Sequence, residues 1–243
     1  MPEPVLVACS HGTDDPGGRA LVAGLLADVR RRRPDLDVRE AFVDVQQPEV
    51  ADVVAGARQE TGSAVVVPLL LSAGFHVHVD IARAVAEPGA VAAGALGPDD
   101  RLVEILVDRL VAAGTAPGDA VVLAAAGSSD RRAQVAVEDL LGRLRAAWPH
   151  GPVTLGYCSA AQPAVADAVG TARDALHAAG TRGRRIVVAA FLLAPGFFLR
   201  RLHASGADVV TAPLLPDERV ADVVLDRYAQ GCAALAPAVA PNG

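Results

Sequence analysis

The chain has 243 residues, 52% hydrophobic and 21% charged, with a formal net charge of −6. That length and apolar content suit one large folded domain or two of about 120 residues each, and exclude a disordered chain. The acidic balance argues against phosphate-driven binding of nucleic acid.

The predicted elements alternate between strand and helix. Val5–Cys9 is a short apolar run with the character of a buried strand. Ala20–Arg33 spaces Leu21, Leu25, Leu26 and Val29 for a helix, and its basic end Arg30–Arg33 suits a helix C-terminus before Pro34. Val38–Val45 reads as a second strand and Pro48–Arg58 as a helix opened by proline. Ala64–Leu71 reads as a third strand, Val79–Glu87 as a helix, Ala90–Leu96 as a weak strand and Asp100–Ala113 as a helix. The longest apolar runs, Ala64–Phe75 and Ile186–Leu199, fall short of the roughly 18 residues of a membrane span. With no basic start at Met1-Pro-Glu-Pro4 to mark a signal peptide, a cytoplasmic protein without a membrane partner is expected.

The chain then repeats itself. Val38–Phe42 and Gln47-Pro-x-Val-Ala-Asp52 match Val153–Tyr157 and Gln162-Pro-x-Val-Ala-Asp167 at an offset of 115, which also lays His11-Gly12-Thr13 on Ala126-Gly127-Ser128. Leu70-Leu71-x-x-Gly74-Phe75 matches Leu192-Leu193-x-x-Gly196-Phe197 at an offset of 122. Pro98-Asp-x-Arg101 matches Pro216-Asp-x-Arg219 at 118. Four ordered matches indicate a tandem duplication. The expected fold is α/β: two similar open parallel-sheet lobes, each with helices on both faces. The expected division is an N-terminal domain over 1–116, a C-terminal copy over 117–232 and a flexible tail over 233–243.

All 22 basic residues are arginine, so a Walker phosphate loop and Schiff-base chemistry are excluded. No Gly-x-Gly-x-x-Gly occurs, and the three scattered cysteines, Cys9, Cys158 and Cys232, form no Cys-x-x-Cys motif and read as buried thiols. In open parallel sheets ligands bind beyond the carboxyl ends of the strands. Leaving those ends are Ser10-His11-Gly12-Thr13, then Asp44, then Gly74-Phe75-His76-Val77-His78-Val79-Asp80. Imidazole and carboxylate without thiolate suit a divalent transition metal. The second copy replaces His11 by Ala126, His76 by Phe198 and His78 by Arg200. Its segment Phe197-Phe198-Leu199-Arg200-Arg201 offers apolar rings followed by guanidinium groups, suited to a large, flat, carboxylate-bearing ligand or to interlobe packing. His150, His177 and His203 carry no such pattern.

At these residues the sequence resembles the sirohydrochlorin chelatases, in their two-domain, tandem-duplicated form. The resemblance rests on Ser10-His11-Gly12-Thr13, on Phe42-Val-Asp44-Val-Gln-Gln-Pro48 and on Leu71-Ser-Ala-Gly74-Phe-His76-Val-His-Val-Asp80-Ile81, and covers nearly the whole chain. Ser10 stands where glycine is common, Asp44 where glutamate is frequent, and Ala82 where proline often follows. The resemblance implies a lyase that inserts iron or cobalt into sirohydrochlorin in siroheme or cobalamin biosynthesis. His11 and His76 would be the catalytic and metal-binding pair, with Asp44 a further metal ligand of shorter reach. Ser10, Gly12, Gly74, His78, Phe198, Arg200 and Arg201 would contact the tetrapyrrole, the arginines meeting its carboxylates. The metal is a substrate; no organic cofactor and no iron–sulfur cluster are implied. Two lobes can complete a crevice within one chain, which admits a monomer. The alternatives are a non-catalytic metal or tetrapyrrole carrier and an enzyme like the histidine phosphatases, although Ser10 stands where those carry arginine.

Overall fold

The computed structural model describes residues 3–72, 75–181 and 183–235. The first repeat runs β1 (Val5–Ser10), α1 (Pro16–Arg32), β2 (Val38–Phe42), α2 (Val50–Thr61), β3 (Ala64–Pro68), α3 (Phe75–Ala84), β4 (Ala90–Ala92) and α4 (Asp100–Ala112). The second runs β5 (Ala120–Ala125), α5 (Arg131–Ala147), β6 (Val153–Tyr157), α6 (Val165–Ala178), β7 (Ile186–Phe191), α7 (Phe197–His203), β8 (Val209–Val210) and α8 (Arg219–Leu235). Each repeat contributes one parallel sheet, ordered β2-β1-β3-β4 and β6-β5-β7-β8. The expected pair of similar α/β lobes is therefore present. No helix among the described residues is long and apolar enough to cross a membrane.

Both central strands of each sheet are apolar on both faces because both faces are covered. Alternation sorts their side chains: Leu6 and Ala8 enter the large core shared by the lobes, while Val5, Val7 and Cys9 face α2 and α3. The shared core lies between the two sheets, where α1 packs on α8, α8 on α4, and α4 on α5.

The order of these helices crosses the sequence repeats. α4, the last helix of the first repeat, lies on β7 and α5 of the second. Reciprocally, α8 lies on β3, β4 and α1 of the first. Equivalent arginines pin the exchange. Arg109 on α4 donates to the backbone oxygens of Pro213, Leu214 and Pro216 at 3.0, 2.9 and 2.9 Å. Arg227 on α8 donates to those of Ala95, Leu96 and Pro98 at 2.8, 2.9 and 3.5 Å. A Cβ built on Gly231 of α8 would stand 2.3 Å from Cγ1 of Val65, so only glycine lets α8 settle on β3. The α4–β5 connection falls at 113–119, but each packed lobe includes a helix from the other repeat.

Several element ends differ from those expected. α1 starts at Pro16, four residues early, because the Asp15 side chain accepts from Gly18 N–H and caps it. Its basic end does more than complement the helix dipole: Arg32 reaches Asp222 of α8 at 2.9 Å and Glu218, just before that helix, at 3.3 Å. β2 stops at Phe42 because Val45 turns the chain into the left-handed region, φ 62°. α2 begins at Val50, not Pro48, since Phe42 N–H holds the Pro48 carbonyl at 3.0 Å beside the strand end. β3 ends at Pro68 and β4 at Ala92, earlier than their apolar runs. α3 begins at Phe75 instead of Val79 and ends at Ala84; the two-residue alternation Phe75-His-Val-His-Val79 hid a helix anchored by buried Ile81. At the C-terminus, α8 continues through 233–235, taken from sequence as tail, because Leu235 packs on the shared core. Cys9 and Cys158 are buried, whereas Cys232 is only half-buried.

Arg227→Ala would leave two or three carbonyls under α8 without a donor and should cost about 2–4 kcal/mol in urea unfolding. Gly231→Ala should destabilise by about 1–3 kcal/mol despite its better helix propensity, since the added methyl would overlap fully buried Val65. The first turn of α8 carries a pH signature. The Arg219 guanidinium bonds Asp217 at 2.9 and 2.8 Å and, against the opposing effect of burial, holds its carboxyl below the ordinary carboxylate value. The stabilisation is thus complete above about pH 4 and lost as pH falls through the lowered value. Asp217→Asn should remove that part of the acid sensitivity in pH-dependent thermal melts.

Candidate metal-binding crevice

The order β2-β1-β3-β4 places a topological switch between β1 and β3, where adjoining connections leave on opposite faces and a crevice opens. His11 is the first residue beyond β1 and is exposed there. Asp44 lies beside it, also exposed: Asp44 N–H donates to the His11 carbonyl at 3.2 Å, and one carboxylate oxygen accepts Val45 N–H at 2.8 Å.

Gly12 makes this approach possible. Its φ is 92°, and a Cβ there would stand 2.4 Å from the Asp44 carbonyl oxygen. Gly127 repeats both features in the second lobe, where a Cβ would fall 1.8 Å from Ser159 O. The glycine therefore serves chain packing in both lobes, a reason distinct from the macrocycle approach implied by the resemblance. Ser159 N–H likewise donates to Ala126 O at 3.0 Å, matching Asp44 and His11. The second lobe keeps this frame but carries Ala126 and Ser159 where the first carries imidazole and carboxylate.

His76 and His78 occupy the first turn of α3, beyond the exit of β3 on the other side of the switch. They stand on a helix rather than at a strand end. Their side chains, and Gly74 altogether, lie outside the described residues. Among the described residues, no group of three His, Cys, Asp or Glu side chains is placed to hold a metal ion. Cys9, under this edge, is no thiolate: burial, then the nearby Asp80 charge, pushes its thiol up to about 12. Burial likewise pushes Cys158 up to about 11. Ser10 is buried at the end of β1; with Thr13, Arg19, Glu40 and Gln46 it lines a small cavity of about 150 Å³.

The second lobe touches this edge through α7 and the loop before it. A Cβ on Gly18 would stand 2.6 Å from Pro195 O, and one on Gly196 would stand 3.5 Å from Thr13 Oγ1. Arg200 bonds Asp15 across the lobes at 3.1 Å, which turns it from a free carboxylate receptor into an interlobe tie. Arg201 is exposed, with its guanidinium carbon 5.8 Å from the Phe197 ring centre. Phe198, the ring singled out from the sequence, packs against the lobe-two core, while Phe197 is 60% exposed. Helical phase decides between them: adjacent residues are turned about 100° apart, and Leu202, four positions after Phe198, is buried.

These features define a two-lobed, tandem-repeat parallel α/β protein with an imidazole–carboxylate pair at the switch point of one lobe only. The chain belongs to the CbiX family, whose model matches residues 5–113 and again 120–231. Among solved structures, it is similar to SirB from Bacillus subtilis with Fe3+, at 17% identity and a TM-score of 0.76, covering 95% of this chain and 96% of that one. A second match is the sirohydrochlorin chelatase SirB from Bacillus subtilis subspecies spizizenii in complex with cobalt, at 18% identity, TM-score 0.72 and coverages of 95% and 96%. A third is CbiX, described as the terminal enzyme for biosynthesis of siroheme in denitrifying bacteria, at 20% identity, TM-score 0.64 and coverages of 94% and 99%. At these identities the likeness establishes the fold. No match was found among curated protein sequences.

Gly12→Ala should cost about 2–4 kcal/mol by combining left-handed strain with the Asp44 clash. Gly24→Ala, on open helix surface, should instead stabilise by up to about 1 kcal/mol. Parallel denaturant titrations of the two variants check this contrast.

Proposed function

We propose that the protein is a sirohydrochlorin chelatase that inserts a divalent metal ion, iron or cobalt, into the tetrapyrrole. The observation that carries this reading is the pairing of His11 with Asp44 on a backbone frame that the second lobe retains with alanine and serine. Membership of the CbiX family supports it, as do the iron, cobalt and siroheme in the descriptions of proteins sharing the fold.

Insertion exchanges a metal ion for the pyrrole N–H protons of the ring. His11 and His76, with the shorter Asp44, hold the ion on one face of the macrocycle. Imidazoles exchange protons near neutral pH and relay the displaced protons to water. The carboxylate-rich ring approaches an acidic protein, so its binding depends on local guanidinium groups and not on net charge. This reading assigns that role to Arg201, which is exposed, and to Arg200 when a substrate carboxylate displaces Asp15. Ser10, Gly12, Gly74 and His78 complete the proposed surroundings of the ring, with Phe197 in place of Phe198, which packs on the core of its own lobe. The protein is read as a cytoplasmic monomer that uses neither an organic cofactor nor an iron–sulfur cluster.

His11→Ala and His76→Ala should each slow insertion by about 10²-fold or more, and Asp44→Asn by about tenfold, with unfolding midpoints near wild type. The assay follows the visible spectrum of sirohydrochlorin with Co2+ or Fe2+. Near-normal rates in both histidine variants would refute the assignment. A wild type that binds the ion without accelerating insertion would identify a carrier.

A further inference from the structure

Five large apolar side chains are exposed among the described residues: Val45, Val79, Val111, Val135 and Phe197. Val111 and Val135 lie on the central helices α4 and α5. The other three stand on the segments that leave the carboxyl ends of β2, β3 and β7. Single exposed valines are ordinary on a protein surface, so the pattern matters only where further observations support it.

Val45 has two such supports. It is a β-branched residue in the left-handed region, φ 62°, a conformation that disfavours it. The equivalent residue in the second repeat, Ala160, adopts φ 54° with a methyl side chain. The turn therefore does not need valine, and the first lobe carries a larger, 48% exposed apolar group immediately after Asp44. Val45 is also close to the histidine loop: its Cβ is 3.1 Å from where a Cβ on Gly12 would stand. Phe197, in the other lobe, directly follows Gly196, where a Cβ would stand 3.5 Å from Thr13 Oγ1 on that loop. Its ring is braced edge-on by Phe198 at 5.6 Å and flanked by the Arg201 guanidinium. Val79 lies one turn after His76 on α3, the helix that follows the carboxyl end of β3, and is 39% exposed.

We propose that Val45, Val79 and Phe197 form an apolar collar around His11 and Asp44 on which the face of a flat tetrapyrrole rests, with Arg201 at its edge for a ring carboxylate. This rests on the chelatase reading and assigns the contacts that position the macrocycle. Separate apolar islands around a polar centre suit a thin ring that bridges them, with an imidazole facing its middle. Phe197 supplies a rigid surface for stacking. Val45 and Val79 supply contacts that leave the metal ligands free. These are positioning residues: they hold the ring and move no proton.

The test uses the full chain, metal-free sirohydrochlorin titrated by absorbance, and Co2+ binding measured without the ring. Phe197→Ala should weaken ring binding and raise KM about tenfold with a smaller change in kcat, and Phe197→Trp should restore both. Val45→Ala, the residue the second repeat uses, should weaken ring binding severalfold while its Tm holds or rises. Co2+ binding should match wild type in all three. Ring affinity unchanged in both Phe197→Ala and Val45→Ala, with a wild type that metallates the ring, overturns the collar alone. Loss of Co2+ binding or of Tm in step with ring affinity also overturns it, because the residues would then be structural. A wild type that neither binds nor metallates the ring removes the chelatase reading and the collar together.

Discussion

The exchange of α4 and α8 between the lobes is the constraint on which the remaining architecture depends. Each sheet has an apolar face that must be covered, and in each lobe part of that cover comes from the other repeat. Arg109 and Arg227 make the exchange specific, because each satisfies carbonyls in the loop leading to the opposite repeat's last helix. Separating the lobes would expose the shared core and orphan those carbonyls together. The lobes consequently meet as parts of one core, unlike domains joined by a linker. This fixed relationship brings α7 and the loop before it against the β1–α1 loop, the segment that follows His11.

Duplication then allows the two copies to diverge in chemistry without diverging in frame. Gly12 and Gly127 have the same left-handed backbone and the same close carbonyl, and the bond from the residue at 44 or 159 back to that at 11 or 126 is kept. A frame held by backbone geometry tolerates any side chain that points away from it. In the first lobe the outward positions carry imidazole, carboxylate and an exposed valine; in the second they carry alanine, serine and alanine. The comparison separates residues needed for folding from residues available for a ligand, since folding demands were met twice and chemistry once.

Much of the fold was legible because parallel strands buried on both faces are unmistakable apolar runs and because four ordered matches reveal the repeat. Element ends were less legible. Asp15 and the left-handed turn at Val45 set boundaries through single hydrogen bonds and one dihedral angle, neither of which shows in hydrophobic period. Segment α3 was misjudged because alternating Phe, His and Val imitate an extended chain. His11 and Asp44 are legible as candidates from their positions after strands, and the structure sets their backbones side by side. Phe197 was passed over for Phe198 because a pair of adjacent rings has no phase until the helix axis is placed. Ser159 went unnoticed as the counterpart of Asp44, although the 115-residue offset was enough to find it.

Sequence alone determined the duplication, the two parallel α/β lobes, the residue types available for metal chemistry and the lobe that carries them. These follow from local composition and order, which burial and strand pairing translate almost directly into structure. Only the tertiary structure decided which helix covers which sheet, that Arg200 ties the lobes through Asp15, and that Phe197 rather than Phe198 faces outward. Each of those depends on contacts between residues far apart in the chain or on the rotation of a helix about its axis, and a linear order of residues specifies neither until the core has packed.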